Sequence, residues 1–165
     1  AAGVPDIAEK LRAGTDLGGT SFKVHLDGHN QLPYITGETD ECPRQHFFYC
    51  SDDGDLTALR YDNWKFVFLE QRCTGTLQIW AEPFIELRVP KLFNLRTDPY
   101  EKADQTSNTY YDWMLDHIYL FVPAQAYVAQ MLQTLIEFPQ RQKSASFSMD
   151  QVMAKLEAAT TAGSS

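Results

Sequence analysis

The 165-residue chain lacks an excess of positive charge, a long unbroken apolar run and an even set of cysteines. Its 14 Lys and Arg stand against 22 Asp and Glu, a formal net charge of -8. Duplex nucleic acid needs cationic surface to displace counterions, so this balance argues against such a partner. It argues equally against an anionic membrane surface. The most apolar stretch, "IYLFVPAQAYVAQMLQTLIEF" (118–138), holds Pro123, three glutamines and Glu137, which makes a poor membrane span. Three cysteines imply no complete disulfide framework. The glycine-rich "GTDLGGTS" (14–21) lacks the spacing of a phosphate cradle and reads as a linker. Ala1 stands where a methionine would, followed by neither a charged n-region nor a short apolar signal core. The expectation is a processed product or a piece of a longer protein.

What is present is a globular composition, 44% apolar and 13% aromatic. Pro5, Asp6 and Gly14 bracket a short helix over 5–13. Residues 21–40 read as extended and turn-rich, and 46–50 as a strand. In "DLTALRYDNWKFVFLEQ" (55–71), apolar alternation on both sides of Asp62-Asn63 predicts a β-hairpin. A two-residue turn pairs Tyr61 with Trp64, Leu59 with Phe66 and Thr57 with Phe68 on a buried aromatic face. The other face sets Arg60 opposite Lys65 and Leu56 opposite Leu69. "TLQIWAEP" (76–83) and "PKLFNL" (90–95) read as further strands.

Helical patterns follow over 109–121, from Pro123 to about Phe138, and over 146–159 with a Ser148/Gln151 capping box. Strands first and helices after predict an α+β class: an antiparallel sheet of about four strands with helices packed on one face and a helical C-terminal tail. The expected organisation is a connector over 1–40, the sheet over 41–105 and helices over 106–160, in one structural domain.

Three stretches resemble sulfatases of the formylglycine type, in the alkaline-phosphatase superfamily. "LDGHNQLPYITGE" (26–38) is similar to the D-G-x-x-L-x-P-x-L-x-G segment that follows their catalytic domain. "CPRQHFFYCSDDGDLTALRYDNWKFVF" (42–68) is similar to their S-P-R segment, aromatic strand and A-V-R-x-x-x-[WY]-K hairpin, here Ala58-Leu59-Arg60 and Trp64-Lys65. "PKLFNLRTDPYEKAD" (90–104) resembles the L-[YF]-[ND]-L-x-x-D-P-x-E motif that closes their C-terminal sheet. The likeness covers about residues 23–105, and the remainder resembles the helical tail of bacterial arylsulfatases.

The resemblance implies the C-terminal portion of an enzyme that hydrolyses sulfate monoesters with a formylglycine nucleophile and a divalent metal, calcium by family habit. The family's C-x-P-S-R and its metal-binding Asp and Asn motifs are absent from this sequence. The chain is therefore expected to carry no catalytic residue, no metal and no cofactor of its own. It is expected to be inactive alone and to support the missing catalytic domain, with a homo-oligomer of the fragment open. A stand-alone interaction module docking through 110–138, or the same domain from a superfamily phosphodiesterase, are the alternatives. Bacterial cytoplasm and periplasm both stay open.

Five residues are candidates for the rim of a substrate cleft: His25, Asp27, His29, Arg60 and Lys65. On a strand the first three share a face, although Gly28 is expected to break it. Arg60 and Lys65 are like charges across a hairpin, which needs a carboxylate or an anion between them. Asp62, Glu70 or the missing domain is the expected source, and a sulfated substrate the alternative. Cys42, His46 and Cys50 fall four residues apart, but on a strand they spread over about 13 Å. That rules out a shared metal or a thiol–imidazole pair, and leaves Cys50 as buried filler and Cys42 in a loop. Asp52-Asp53 is expected to form a turn with Gly54 and Asp55. Asp98 and Glu101 are expected to shape a turn and cap a helix. Trp64, Trp80 and the phenylalanines are core or interface candidates.

Overall fold

The computed structural model describes residues 4–73 and 75–139. They form two compact units, one taking in the residues up to Gln45 together with 133–139, the other 46–132. The helix expected over 146–159 lies outside the described residues.

The first unit opens with helix α1 (Ile7–Ala13). Lys10 reaches back one turn to Asp6 at 2.9 Å, and Gly14, at φ 102, ends the helix. The segment expected to be a linker is instead a hairpin of β1 (Thr15–Leu17) and β2 (Thr20–Phe22). Gly18 and Gly19 sit between the strands at φ 60 and 83. A two-residue turn that follows strand twist needs φ above zero at both central positions, which glycine alone adopts freely. The pair is therefore a hairpin turn rather than a flexible spacer. Beyond it the chain is irregular apart from α2 (Leu32–Ile35), whose first turn takes Pro33 and is capped by Asn30 Oδ1 accepting from Leu32 N–H.

The second unit is a four-stranded antiparallel meander in the order β3 (His46–Cys50), β4 (Leu56–Tyr61), β5 (Trp64–Glu70) and β6 (Ile85–Asn94). The α+β class is thus observed. Between β3 and β4, Asp52 and Asp53 form the expected turn, with Gly54 at φ 89. The hairpin register is found for Tyr61↔Trp64, Arg60↔Lys65 and Leu59↔Phe66, and the ladder ends at Ala58↔Val67. Asp62 turns the chain at φ 51, a conformation that Asp tolerates better than most residues. β6 lies at the sheet edge, where Pro90 costs no ladder bond; it falls in a stretch that the register skips.

Leu59, Phe66 and Leu92 are at most 1% exposed and form the core on one face of the sheet. Two helices cover them: α5 (Tyr110–Asp116) through Tyr110 and Met114, and α6 (Phe121–Glu137) through Ala124, Phe121, Tyr127 and Val128. Each such side chain contributes about 2 kcal/mol on leaving water. The single helix expected over 109–121 ends at Asp116, and a 3-10 turn (Ile118–Leu120) leads into α6. Pro123 occupies the first turn of α6, where no intrahelical partner awaits its missing N–H. On the opposite face, the hairpin end near Ala58, Leu56 and Leu69 is buried as well.

One strand expectation is corrected. Residues 76–83 contain the one-turn helix α3 (Gln78–Ala81), not a strand. Thr, Ile and Trp favour strands locally, but the Gln71 amide donates to Ile79 O and Glu82 O and ties the turn to the end of β5. Trp80 is 82% exposed, which removes it from the core.

Candidate functional site

The β3–β4–β5 register places Phe47 beside Arg60, and Arg60 beside Lys65. Tyr49 completes this strip. Its ring meets Phe47 edge-on at 4.9 Å and lies 4.6 Å beneath Lys65 Nζ. Lys65 is already occupied. Both carboxylate oxygens of Glu101 accept from its Nζ, at 2.7 and 2.8 Å. This is the counter-charge that the hairpin required, and its source is none of those expected. Arg60 is exposed, and its Nε donates to the backbone carbonyl of Asp62 at 2.9 Å rather than to a carboxylate. Of the two basic candidates, only Arg60 presents guanidinium donors outward.

Glu101 owes its position to "DPYEKAD". Asp98 caps α4 (Ala103–Thr106): its carboxylate accepts from Lys102 N–H and Ala103 N–H at 3.1 and 2.8 Å. Glu101, just before this cap, takes φ 55. The expected turn and cap are both present. The same segment sends Asp104 to Lys91, whose ammonium bridges Asp104 and Glu70. Burial opposes charge on Glu70, but hydrogen bonds from Lys91 and Arg72 outweigh it and hold the carboxyl below its usual range. Burial likewise opposes the charge on Lys91, and Asp104 and Glu70 overcome it and raise its pKa.

His25, Asp27 and His29 belong to the first unit and lie on no strand. His25 Nδ1 and Asp27 Oδ1 are 3.1 Å apart, and Arg44 Nη2 donates to Asp27 O. The His25 ring stands 5.9 Å from that of Phe138. His29 is exposed and joins neither. The structure thus brings two of the three together.

Cys42 sits in an exposed loop, as expected. The His46 ring packs, tilted, against that of Tyr127 at 4.6 Å. Cys50 is exposed, not buried filler: it ends β3 at the sheet edge, beside a register shift. None of the three cysteines is in a disulfide. Among the described residues no group of three His, Cys, Asp or Glu side chains could hold a metal ion, and no helix is long and apolar enough to cross a membrane. These described residues thus offer no such ligand set for a calcium ion.

Sequence reasoning passed over His117. Its Nδ1 lies 2.7 Å from Trp113 O; a carbonyl can only accept, so Nδ1 carries the proton. Trp113, Trp64 and Tyr119 surround the ring at 4.7, 5.5 and 6.1 Å. The Trp113/His117 spacing of four on a helix was the available signal.

The model of the C-terminal region of aryl-sulfatase matches residues 42–160. The chain belongs to this family. The match takes in the β3–β6 meander, the Asp98–Glu101 turn and the helices after it. Among solved structures, the PsFucS1 sulfatase from Pseudoalteromonas sp. is 26% identical, with a TM-score of 0.41, over 60% of this chain and 19% of that one. This sulfatase C-terminal region thus spans about a fifth of that chain's length. No curated protein matches it.

Proposed function

We propose that this sulfatase C-terminal region supports the catalytic part of a sulfuric ester hydrolase and lends Arg60 to the rim of its substrate cleft. The family match carries the first half of the reading. The contrast between Arg60 and Lys65 supports the second. Lys65 is neutralised by Glu101, while Arg60 keeps its fork of donors beside the exposed ring of Phe47. A guanidinium offers bidentate donors to the oxygens of a sulfate ester, and an adjacent aromatic face suits an apolar leaving group. On this reading the nucleophile and the metal reside in the catalytic part, and this chain alone hydrolyses no sulfate ester.

The test uses the intact sulfatase. With an aryl sulfate, Arg60→Ala is expected to raise KM about tenfold at nearly constant kcat, the signature of lost ground-state binding. An unchanged KM would remove Arg60 from the cleft. Sulfate-ester turnover by the purified 165-residue chain would overturn the supporting role itself.

A further inference from the structure

We propose that Glu101 sets the specificity of the Arg60 rim: by occupying Lys65, it fits the cleft to sulfate esters with one anionic group and turns away those that carry a second anion beside the first. The inference rests on the reading of Arg60 given above and deepens it. Arg60 and Lys65 face each other across the hairpin, where opposed Cβ atoms stand about 5 Å apart. Two cations at that spacing make a site for two neighbouring anionic groups. One half of that site is filled from within the chain. The Glu101 carboxylate accepts two hydrogen bonds from Lys65 Nζ, at 2.7 and 2.8 Å, as the oxygens of a sulfate or a sulfonate would. The same ammonium lies 4.6 Å from the centroid of the Tyr49 ring.

Burial and backbone geometry set this pair apart from an ordinary surface ion pair. The Lys65 side chain is 16% exposed, so its ammonium needs an anionic partner once the carboxylate is gone. The Glu101 side chain is 30% exposed, so the position of its carboxylate is within reach of a ligand from solvent. Glu101 also holds φ 55, a conformation in which glycine is at ease and a glutamate is strained. The neighbouring helix cap comes from Asp98 and makes no use of the Glu101 side chain. Strain of this kind gathers at ligand-binding sites. Charge defines the task. Arg60, Lys65 and Glu101 are two cations and one carboxylate, a net single positive charge that matches a monoanion. A second anionic group finds Lys65 taken and meets the Glu101 carboxylate instead, a repulsive element of the kind that specificity requires.

The experiment measures KM of the intact sulfatase for two esters, nitrophenyl sulfate and the same ester with an uncleavable ring sulfonate beside the sulfate. Glu101→Gly vacates the carboxylate and relieves the strain. In this variant the ratio of the two KM values is expected to shift about tenfold towards the sulfonated ester, the weight of one charge-assisted hydrogen bond. Adding Lys65→Gln is expected to abolish the shift. A ratio that does not move, or a shift that survives the loss of Lys65, overturns the proposal. Should Glu101→Gly fail to fold, Glu101→Gln removes the charge at nearly constant volume and is expected to shift the ratio in the same direction. An unmoved ratio there overturns the proposal equally. Arg60→Ala separates the two readings. Unchanged KM values for both esters in that variant would remove the rim itself, whereas raised values together with an unmoved ratio in Glu101→Gly overturn the role of Glu101 alone.

Discussion

The hydroxyl of Tyr110 makes two 3.0 Å hydrogen bonds to a single residue, accepting from Leu92 N–H and donating to Leu92 C=O. Leu92 lies on edge strand β6, and these are the backbone groups that β5 leaves unpaired. The phenol from α5 stands in for a fifth strand, closes the edge against foreign strands and fixes the helix to the sheet. Tyr110→Phe keeps the ring and orphans both backbone groups. It is expected to cost about 2 kcal/mol. Denaturant unfolding checks this, and a midpoint equal to wild type would mean that the edge is satisfied by other means.

Lys91 joins two carboxylates, one of them the nearly buried Asp104. Lys91→Met takes the cation from between them, leaving the nearly buried Asp104 without it and Glu70 with Arg72 alone, and a loss of about 3 kcal/mol is expected. Adding Glu70→Leu and Asp104→Leu should restore most of it, since an apolar triad avoids the desolvation of three charges. A triple variant no more stable than the single one would refute this account.

The same groups set the pH limits. The pKa of Glu70 is depressed in the folded chain, so its contribution is complete above the unfolded value of about 4.3 and is lost as pH falls through the lower folded value. Lys91 and Tyr110 have raised values, Tyr110 because burial outweighs its bond to Leu92. Their contributions are complete below about pH 10 and are lost as pH rises further. Stability measured against pH should therefore be flat across neutrality and fall at both ends. Lys91→Met should flatten part of each limb, and unaltered limbs in that variant would place the titrating groups elsewhere.

Glu101 holds Lys65 from a backbone at φ 55, where a side chain is strained. Glu101→Ala loses the ion pair and keeps the strain. Glu101→Gly loses the same pair and relieves it, so the glycine variant should be the more stable of the two by about 1 kcal/mol. Thermal melts of both variants decide the matter, and alanine at or above glycine would show that the strain is not real.

Much of the second unit was legible in the sequence. Asp62-Asn63 fixed the hairpin turn, and with it the pairs Leu59↔Phe66 and Arg60↔Lys65. Asp98 announced its cap, and Pro123 marked the opening turn of α6. The Gly18-Gly19 turn was just as local, but its flanking strands of three residues are too short to show alternation. Residues 76–83 were misread because their composition favours a strand, while the Gln71 amide folds them into a helical turn. At the candidate site the sequence named Arg60 and Lys65 but could not tell them apart.

The sequence by itself determined the α+β class, the hairpin register and the likeness to sulfatases, because period, turn chemistry and motif spacing act over a few residues at a time. Only the tertiary structure decided which charges meet. Lys65 finds Glu101 across 36 residues, and Lys91 finds both Glu70 and Asp104. Tyr110, not another strand, closes the sheet at Leu92. Such pairings depend on where separate elements come to rest against a common core, which no local pattern records.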